Sequence, residues 1–235
     1  MAATAFDKNS ATFVTPREHA RFSPYVNNGG TSIAVAGDTF AVIAADTRVS
    51  EGYSICTRNQ TKVIQLTPKT VLASSGMLAD ITTLHKVLKN RLEWYKHQHG
   101  KYPSTPAIAQ LLSTTLYYKR FFPYYTFNVL GGVDEEGNGL CCSYDAVGSF
   151  EHVKYTSSGT GNQLVQPLLD NQLGWKSQRR PGAMGRDYSS QDAVELVKDC
   201  FSAATERDIY TGDAVDILVV DQTGTRVIKH TLKAD

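Results

Sequence analysis

Four helical segments, set in two pairs between groups of strands, constrain the fold of this chain more than any other feature of its sequence. In the first segment, Ile81, Leu84 and Leu88 recur at spacings of three and four, which places them on one helix face. The last helix is preceded by Ser189, three residues before Asp192, a pattern typical of a capping box. Helices are therefore predicted over residues 78–97, from an N-cap at Thr105 with Pro106 at the first helical position, over 162–172 and over 191–206.

Strands fill the segments around these helices. From Thr31 onward Ile33 and Val35 alternate with small residues, Gly37-Asp38 predicts a turn, and 40–45 returns as a nearly continuous apolar strand. Further strands are predicted over 62–66, 70–74, 125–133, 140–144, 150–155, 215–220 and 226–232. This order fits neither a doubly wound sheet nor an all-β fold. An α+β fold accommodates it, as a four-layer αββα sandwich in which two antiparallel sheets lie between helix pairs.

The N-terminal segment differs in character from the rest of the chain. Residues 1–29 are polar and contain Pro16, Pro24 and part of the cluster Asn27-Asn28-Gly29-Gly30, so they are predicted to form an irregular arm. The arm has no apolar run and does not resemble a signal peptide. Residues 30–235 are predicted to form one domain.

Composition narrows the class of function. The formal net charge of +1 gives no electrostatic reason to expect a nucleic acid or membrane partner. No stretch approaches the roughly 18 apolar residues that span a bilayer. The four cysteines form neither a disulfide framework nor a CxxC zinc pair, which favours a reducing compartment, and the histidines lack metal-ligand spacing. Neither a metal nor a cofactor is expected.

Several short stretches resemble a known family. Gly30-Thr31-Ser32-Ile33, Ala45-Asp46-Thr47-Arg48, Lys62 and Ser74-Ser75-Gly76 resemble the start of a proteasome beta subunit. Other stretches resemble one member of that family in particular, a member regarded as non-catalytic: 21–25, 28–31, 120–125, 134–137, 168–172 and 204–213. The resemblance covers about 30–235 and implies the fold of the N-terminal nucleophile hydrolases.

The resemblance also implies positions for the parts of an active site. Active members use an N-terminal threonine, freed by cleavage after a glycine, whose own amine acts as the base. Asp46 and Lys62 match the family's aspartate and lysine, and Asp46 follows an apolar strand, so a partly buried ion pair is expected. The other matched positions are Asp208 for the second aspartate, Thr160 and Thr211 for two serines, and the Gly76 amide for the oxyanion donor.

The nucleophile is where this sequence departs from the family. The family places its threonine sixteen residues before the first aspartate. Sixteen residues before Asp46 stands Gly30, which has no hydroxyl, and Thr31 stands one residue too late. Because one residue reverses the side-chain direction in a strand, Thr31 is predicted to point away from Lys62. We therefore expect a vestigial site without a catalytic residue. The alternative is an active threonine endopeptidase cleaved at Gly30-Thr31, with a deletion in the Gly37-Asp38 turn restoring the register; a self-standing amidohydrolase is a third, less favoured interpretation.

The resemblance implies a function in assembly. The chain is expected to be a non-catalytic structural subunit of the 20S proteasome core, supporting ubiquitin-dependent protein degradation by catalytic neighbours in the cytoplasm and nucleus. Its partners would be other beta and alpha subunits in stacked seven-membered rings. The loop over 174–190 and the helix surfaces are the candidates for contacts with those neighbours, and the N-terminal arm over 1–29 and the same loop are the irregular segments available to specify its place in the ring.

Overall fold

The computed structural model describes residues 23–177 and 188–235. Over these residues the chain forms twelve strands and four helices. The strands are β1 (Thr31–Ala36), β2 (Phe40–Asp46), β3 (Val49–Glu51), β4 (Ser54–Thr57), β5 (Val63–Thr67), β6 (Thr70–Gly76), β7 (Thr126–Val133), β8 (Gly139–Tyr144), β9 (Phe150–Val153), β10 (Tyr155–Gly159), β11 (Ala214–Asp221) and β12 (Gly224–Thr231). The helices are α1 (Leu78–His99), α2 (Thr105–Tyr117), α3 (Asn162–Gln172) and α4 (Ser190–Thr205).

Two five-stranded sheets lie face to face, and each carries a helix pair on its outer side. One sheet has the order β10-β1-β2-β11-β12 and the other β5-β6-β7-β8-β9, with every pairing antiparallel. Helices α3 and α4 pack on the first sheet and α1 and α2 on the second, with separate apolar cores under each pair and between the sheets. The predicted four-layer αββα sandwich is confirmed.

The alternation within β1 explains how a strand can be apolar on both faces. Ile33 and Val35 pack toward α3 and α4, whereas Ala34 and Ala36 face the second sheet. A strand in the inner layers of this sandwich is covered on both sides, so its sequence is apolar at nearly every position. The small residues on the inner face let the two sheets approach each other.

Two helix starts were predicted from capping residues, and one of them needs correction. The capping box between Ser189 and Asp192 is present, with both reciprocal hydrogen bonds. The N-cap of α2 is Ser104 rather than Thr105, and its hydroxyl accepts a hydrogen bond from the Ala107 amide. Thr105 is instead the first helical residue, and its hydroxyl donates to the Val133 carbonyl at 2.6 Å, which joins the helix to its sheet.

Two strand predictions were also incomplete. The single strand expected over 150–155 is two strands, because the chain leaves one sheet after β9 and enters the other at β10. The short hairpin of β3 and β4 was not predicted, since its strands are only three and four residues long and carry no alternation of large apolar residues. None of the helices within 23–177 and 188–235 combines the length and the apolar character needed to cross a bilayer.

The predicted arm and loop lie only partly within the described residues. Of the arm, residues 23–29 are described, and of the loop over 174–190 the central part, 178–187, lies outside the described residues. The boundary between arm and domain at residue 30 stays a prediction.

Candidate functional site

Strand pairing gathers the predicted site residues at one end of the sandwich. The antiparallel register sets Ser32 of β1 opposite Ala45 of β2, so the start of β1 lies beside Asp46 at the end of β2. On the other side of β2, Val215 of β11 pairs with Asp46 and brings the α4–β11 connection to the same place. Lys62 directly precedes β5 and reaches in from the second sheet.

Asp46 and Lys62 form a buried ion pair. The Lys62 ammonium lies 2.6 Å from Asp46 Oδ1 and donates a second hydrogen bond to the Arg48 carbonyl at 2.9 Å. The Lys62 side chain is only 2% exposed, so the pair is more deeply buried than expected. Burial raises the pKa of the Asp46 carboxyl, and the Lys62 ammonium together with the Thr31 and Gly212 amides opposes that shift. Removal of either partner would leave an unpaired buried charge and would strongly destabilise the fold.

Gly30 faces this ion pair. A β-carbon placed on Gly30 would collide with Lys62 Nζ and would lie 3.1 Å from Asp46 Oδ1. Position 30 is thus the one from which a side chain would meet the lysine, and the tip of Lys62 occupies that space. The backbone at Gly30 has a φ of +99°, a conformation that residues with a side chain rarely adopt.

Thr31 points to the other side of the sheet. Its amide donates to Asp46 Oδ1 at 2.9 Å, but its hydroxyl accepts from the Gly161 amide and lies 2.6 Å from the Thr211 hydroxyl. The side chain is fully buried. The predicted direction of Thr31, away from Lys62, agrees with this geometry.

Thr160, Asp208 and Thr211 form a second cluster on the Thr31 side. Asp208 Oδ2 accepts hydrogen bonds from both threonine hydroxyls, each at 2.7 Å. Since the single hydroxyl hydrogen of Thr211 is directed at the carboxylate, Thr31 must be the donor in its bond with Thr211. A directed chain of hydrogen bonds therefore runs from the Gly161 amide through Thr31 and Thr211 to Asp208, and it uses the only hydrogen of the Thr31 hydroxyl.

The Gly76 amide, predicted as the oxyanion donor, already has a partner in the arm. It donates to the Gly29 carbonyl at 3.2 Å, immediately before Gly30. A cavity of about 320 Å³ lies beside this bond, lined by the arm, by Gly30 and Gly76, and by residues around Thr160. The structure therefore brings all seven predicted positions to one region, in two clusters that the backbone of Gly30 and Thr31 separates.

Asn28 is a residue of this region that the sequence did not single out. Its amide donates to the Gly76 carbonyl, its side-chain amide donates to the Ser50 carbonyl, and its side-chain oxygen accepts from the Leu78 amide at 2.9 Å. The N-cap residue of α1, Met77, offers no side-chain acceptor, so Asn28 supplies the cap from another part of the chain. In the sequence, Asn28 stands in a turn-like cluster and in the resembling stretch 28–31, and neither indicates a capping role.

Arg48 and Asp213 form a second ion pair next to the site. Arg48 Nε lies 2.7 Å from Asp213 Oδ2, and Arg58 Nη1 lies 2.6 Å from Asp213 Oδ1. Burial alone would raise the pKa of Asp213, but the hydrogen bonds from both guanidinium groups hold it below its ordinary value. Both residues stand in stretches that carried the family resemblance, which is the signal that could have identified them. Among residues 23–177 and 188–235, no group of three or more His, Cys, Asp or Glu side chains is arranged to hold a metal ion.

Comparison with known proteins gives consistent matches. A profile of the family described as "Proteasome subunit" matches residues 26–220. The chain is 58% identical over 221 residues to a Dictyostelium discoideum protein named "Proteasome subunit beta type-1", covering 94% of this chain and 93% of the relative. An Arabidopsis thaliana protein of the same name is 52% identical over 226 residues, with 93% and 99% covered. The Saccharomyces cerevisiae "Proteasome subunit beta type-6" is 40% identical over 242 residues, with 100% of both covered. The particular member that the sequence stretches resembled was the beta type-1 subunit, at the sixth position of the beta ring, and these names agree with it.

Proposed function

This chain belongs to the proteasome subunit family, and we propose that it is a non-catalytic structural subunit in the beta ring of the 20S core particle. As a proteasome subunit it assembles with other proteasome subunits. The proposal adds that it takes a fixed place among beta and alpha subunits in stacked seven-membered rings, in cytoplasm and nucleus. There it supports ubiquitin-dependent protein degradation by its catalytic neighbours.

One observation carries the proposal that this subunit does not catalyse. Position 30 is the one that faces Lys62, and it holds a glycine. A hydroxyl nucleophile needs an oxygen within reach of the group that stabilises its alkoxide, and glycine supplies none. The retained pair of Asp46 and Lys62 then acts as a structural ion pair, since removing either partner would leave an unpaired buried charge.

The alternative, an active endopeptidase that uses Thr31, meets two obstacles in the geometry. The Thr31 hydroxyl lies on the side of Asp208 rather than Lys62, and its hydrogen is donated to Thr211. Its amide is part of a peptide bond that hydrogen-bonds to Asp46. To work as a nucleophile, Thr31 would need both cleavage of that peptide bond and a one-residue shift of β1.

The deciding experiment is an intact-mass measurement of this subunit from the assembled particle after treatment with a peptide epoxyketone. The epoxyketone reacts only with a residue that has both a free α-amine and a β-hydroxyl, so it tests the mechanism itself. We expect a mass that includes Gly30 and part of the arm, without an adduct. The catalytic subunits of the same particle, which take up the reagent, are the internal control. A chain that begins at Thr31 and carries the adduct would overturn the proposal.

A further inference from the structure

A group of large aromatic side chains projects into solvent at the end of α2. We call it the aromatic ridge and define it as Tyr117, Tyr118, Phe121 and Phe122. Phe121 is 98% exposed and Tyr118 is 83% exposed, and all four belong to the exposed large hydrophobic residues. Isolated apolar residues are common on protein surfaces, but four aromatic side chains within six positions form a patch of the kind that marks a binding surface.

Two cations lie within the aromatic ridge. Lys119 and Arg120 stand between Tyr118 and Phe121 and are exposed. The Arg120 guanidinium lies 6.0 Å from the centre of the Phe121 ring. Aromatic residues and arginine are enriched at the centres of protein interfaces, where they account for most of the binding energy. The charges further indicate a partner that has an apolar recess bordered by carboxylates.

The aromatic ridge is held in one shape by its backbone and by the arm. Successive turn hydrogen bonds run from the amides of Lys119, Arg120 and Phe122 to carbonyls three residues earlier. From the arm, Tyr25 stacks on Phe122 at 5.5 Å between ring centres, and its hydroxyl donates to the Pro123 carbonyl at 2.8 Å. A surface that is already ordered loses little entropy on binding, so it is suited to tight association. Tyr25 is therefore a positioning residue for the ridge.

From these observations we infer that the aromatic ridge is a contact surface for another, different subunit of the proteasome. The inference rests on family membership and not on the absence of catalysis. A second copy of this chain is a poor partner, because a symmetric contact would bring the cations of one ridge against those of the other. The occupant is a neighbouring subunit whose matching surface is apolar at its centre and acidic at its edge.

The first test compares incorporation of variants in cells that produce wild-type and variant chains together. We expect Phe121→Ala to enter the particle at least about tenfold less than the wild type, as for loss of a central interface residue. Val227→Ala, which alters a 58% exposed side chain on β12, is the matched control and should enter at parity. The Phe121 side chain contributes almost nothing to the fold, so its variant should unfold at the same temperature as the wild type. Incorporation of Phe121→Ala at parity would refute the inference.

The second test identifies the partner and the role of the arm. A photo-crosslinking amino acid in place of Phe121, in the assembled particle, should crosslink to one proteasome subunit at a peptide that contains Asp or Glu. A crosslink to a protein outside the particle, or to none, would overturn the inference. Tyr25→Ala should reduce incorporation, whereas Tyr25→Phe, which keeps the stacked ring, should not; equal effects of the two would contradict the positioning role. An epoxyketone adduct would refute the proposed lack of catalysis and leave the Phe121 outcomes unchanged.

Discussion

A methyl group at Gly30 would test whether the space opposite Lys62 is filled. In Gly30→Ala the β-carbon meets Lys62 Nζ, and the φ of +99° is strained for any residue with a side chain. The strain alone costs about 1–3 kcal/mol. The lysine tip can retreat, but retreat stretches its 2.6 Å bond to Asp46, and full loss of such a buried pair costs about 3–5 kcal/mol.

The matched control is Gly52→Ala. Gly52 also has a positive φ, +58°, but a β-carbon there meets nothing within 4 Å. Its replacement should therefore cost about 1–2 kcal/mol, the strain of a left-handed residue alone. We expect Gly30→Ala to lose about 3–6 kcal/mol, the sum of strain and a weakened ion pair.

Urea unfolding of the two full-length variants measures this difference, with incorporation into the particle as the readout if the isolated chain does not refold. A third variant separates the two terms: in a Lys62→Ala background the methyl group meets no ammonium, so Gly30→Ala should then cost only its strain. A non-additive result of about 2 kcal/mol or more is expected for residues in contact. Equal losses for Gly30→Ala and Gly52→Ala, or simple additivity with Lys62→Ala, would refute the reasoning.

Two further predictions concern single side chains. Asn28→Ala removes the cap of α1, so the Leu78 amide should exchange its hydrogen about tenfold faster and the free energy of unfolding should fall by about 1 kcal/mol. The control is Asn27→Ala, whose side chain accepts a hydrogen bond from Gly29 within the arm and which should leave the exchange of Leu78 unchanged. Protection of Leu78 in both variants would contradict the capping role of Asn28. Burial lowers the pKa of His85 from 6.5 to about 4. As the pH falls, the unfolded chain therefore takes up a proton before the folded chain does, and stability is lost between about pH 6.5 and about pH 4. His85→Gln should flatten the dependence of stability on pH in that window, and an unchanged dependence would show that His85 is not the group responsible.

Much of the fold follows from apolar periodicity. The alternation of Ile33 and Val35 with small residues predicted the strand that is β1, and the helix predicted over 162–172 is α3. The division of 150–155 into β9 and β10 was not predictable in the same way, because an extended stretch looks the same whether or not its partner strand changes. The N-cap of α2 was misplaced by one residue because Ser104 and Thr105 both offer a hydroxyl.

The candidate site was predictable where it depends on register and not where it depends on distant contacts. Counting sixteen residues back from Asp46 placed Gly30, and not Thr31, opposite Lys62, which is the geometry that the structure has. The capping role of Asn28 depends on three segments that come together only in the folded chain. The hydrogen bond from the Gly76 amide to the Gly29 carbonyl was equally unpredictable. No local sequence pattern indicates that this amide already has an acceptor in the arm.

The contacts of Asn28 also set an order of events during folding. Asn28 hydrogen-bonds to Ser50 in β3, to Gly76 in β6 and to Leu78 at the start of α1, and none of these partners is in place until its own element has formed. Tyr25 closes a contact across 98 residues, to Pro123. Long-range contacts form late because the chain must first lose the entropy of the loop that they close. Docking of residues 23–29 therefore follows the formation of β3, β6 and the start of α1, and the docked segment marks a chain in which these elements and the connection between α2 and β7 are in place.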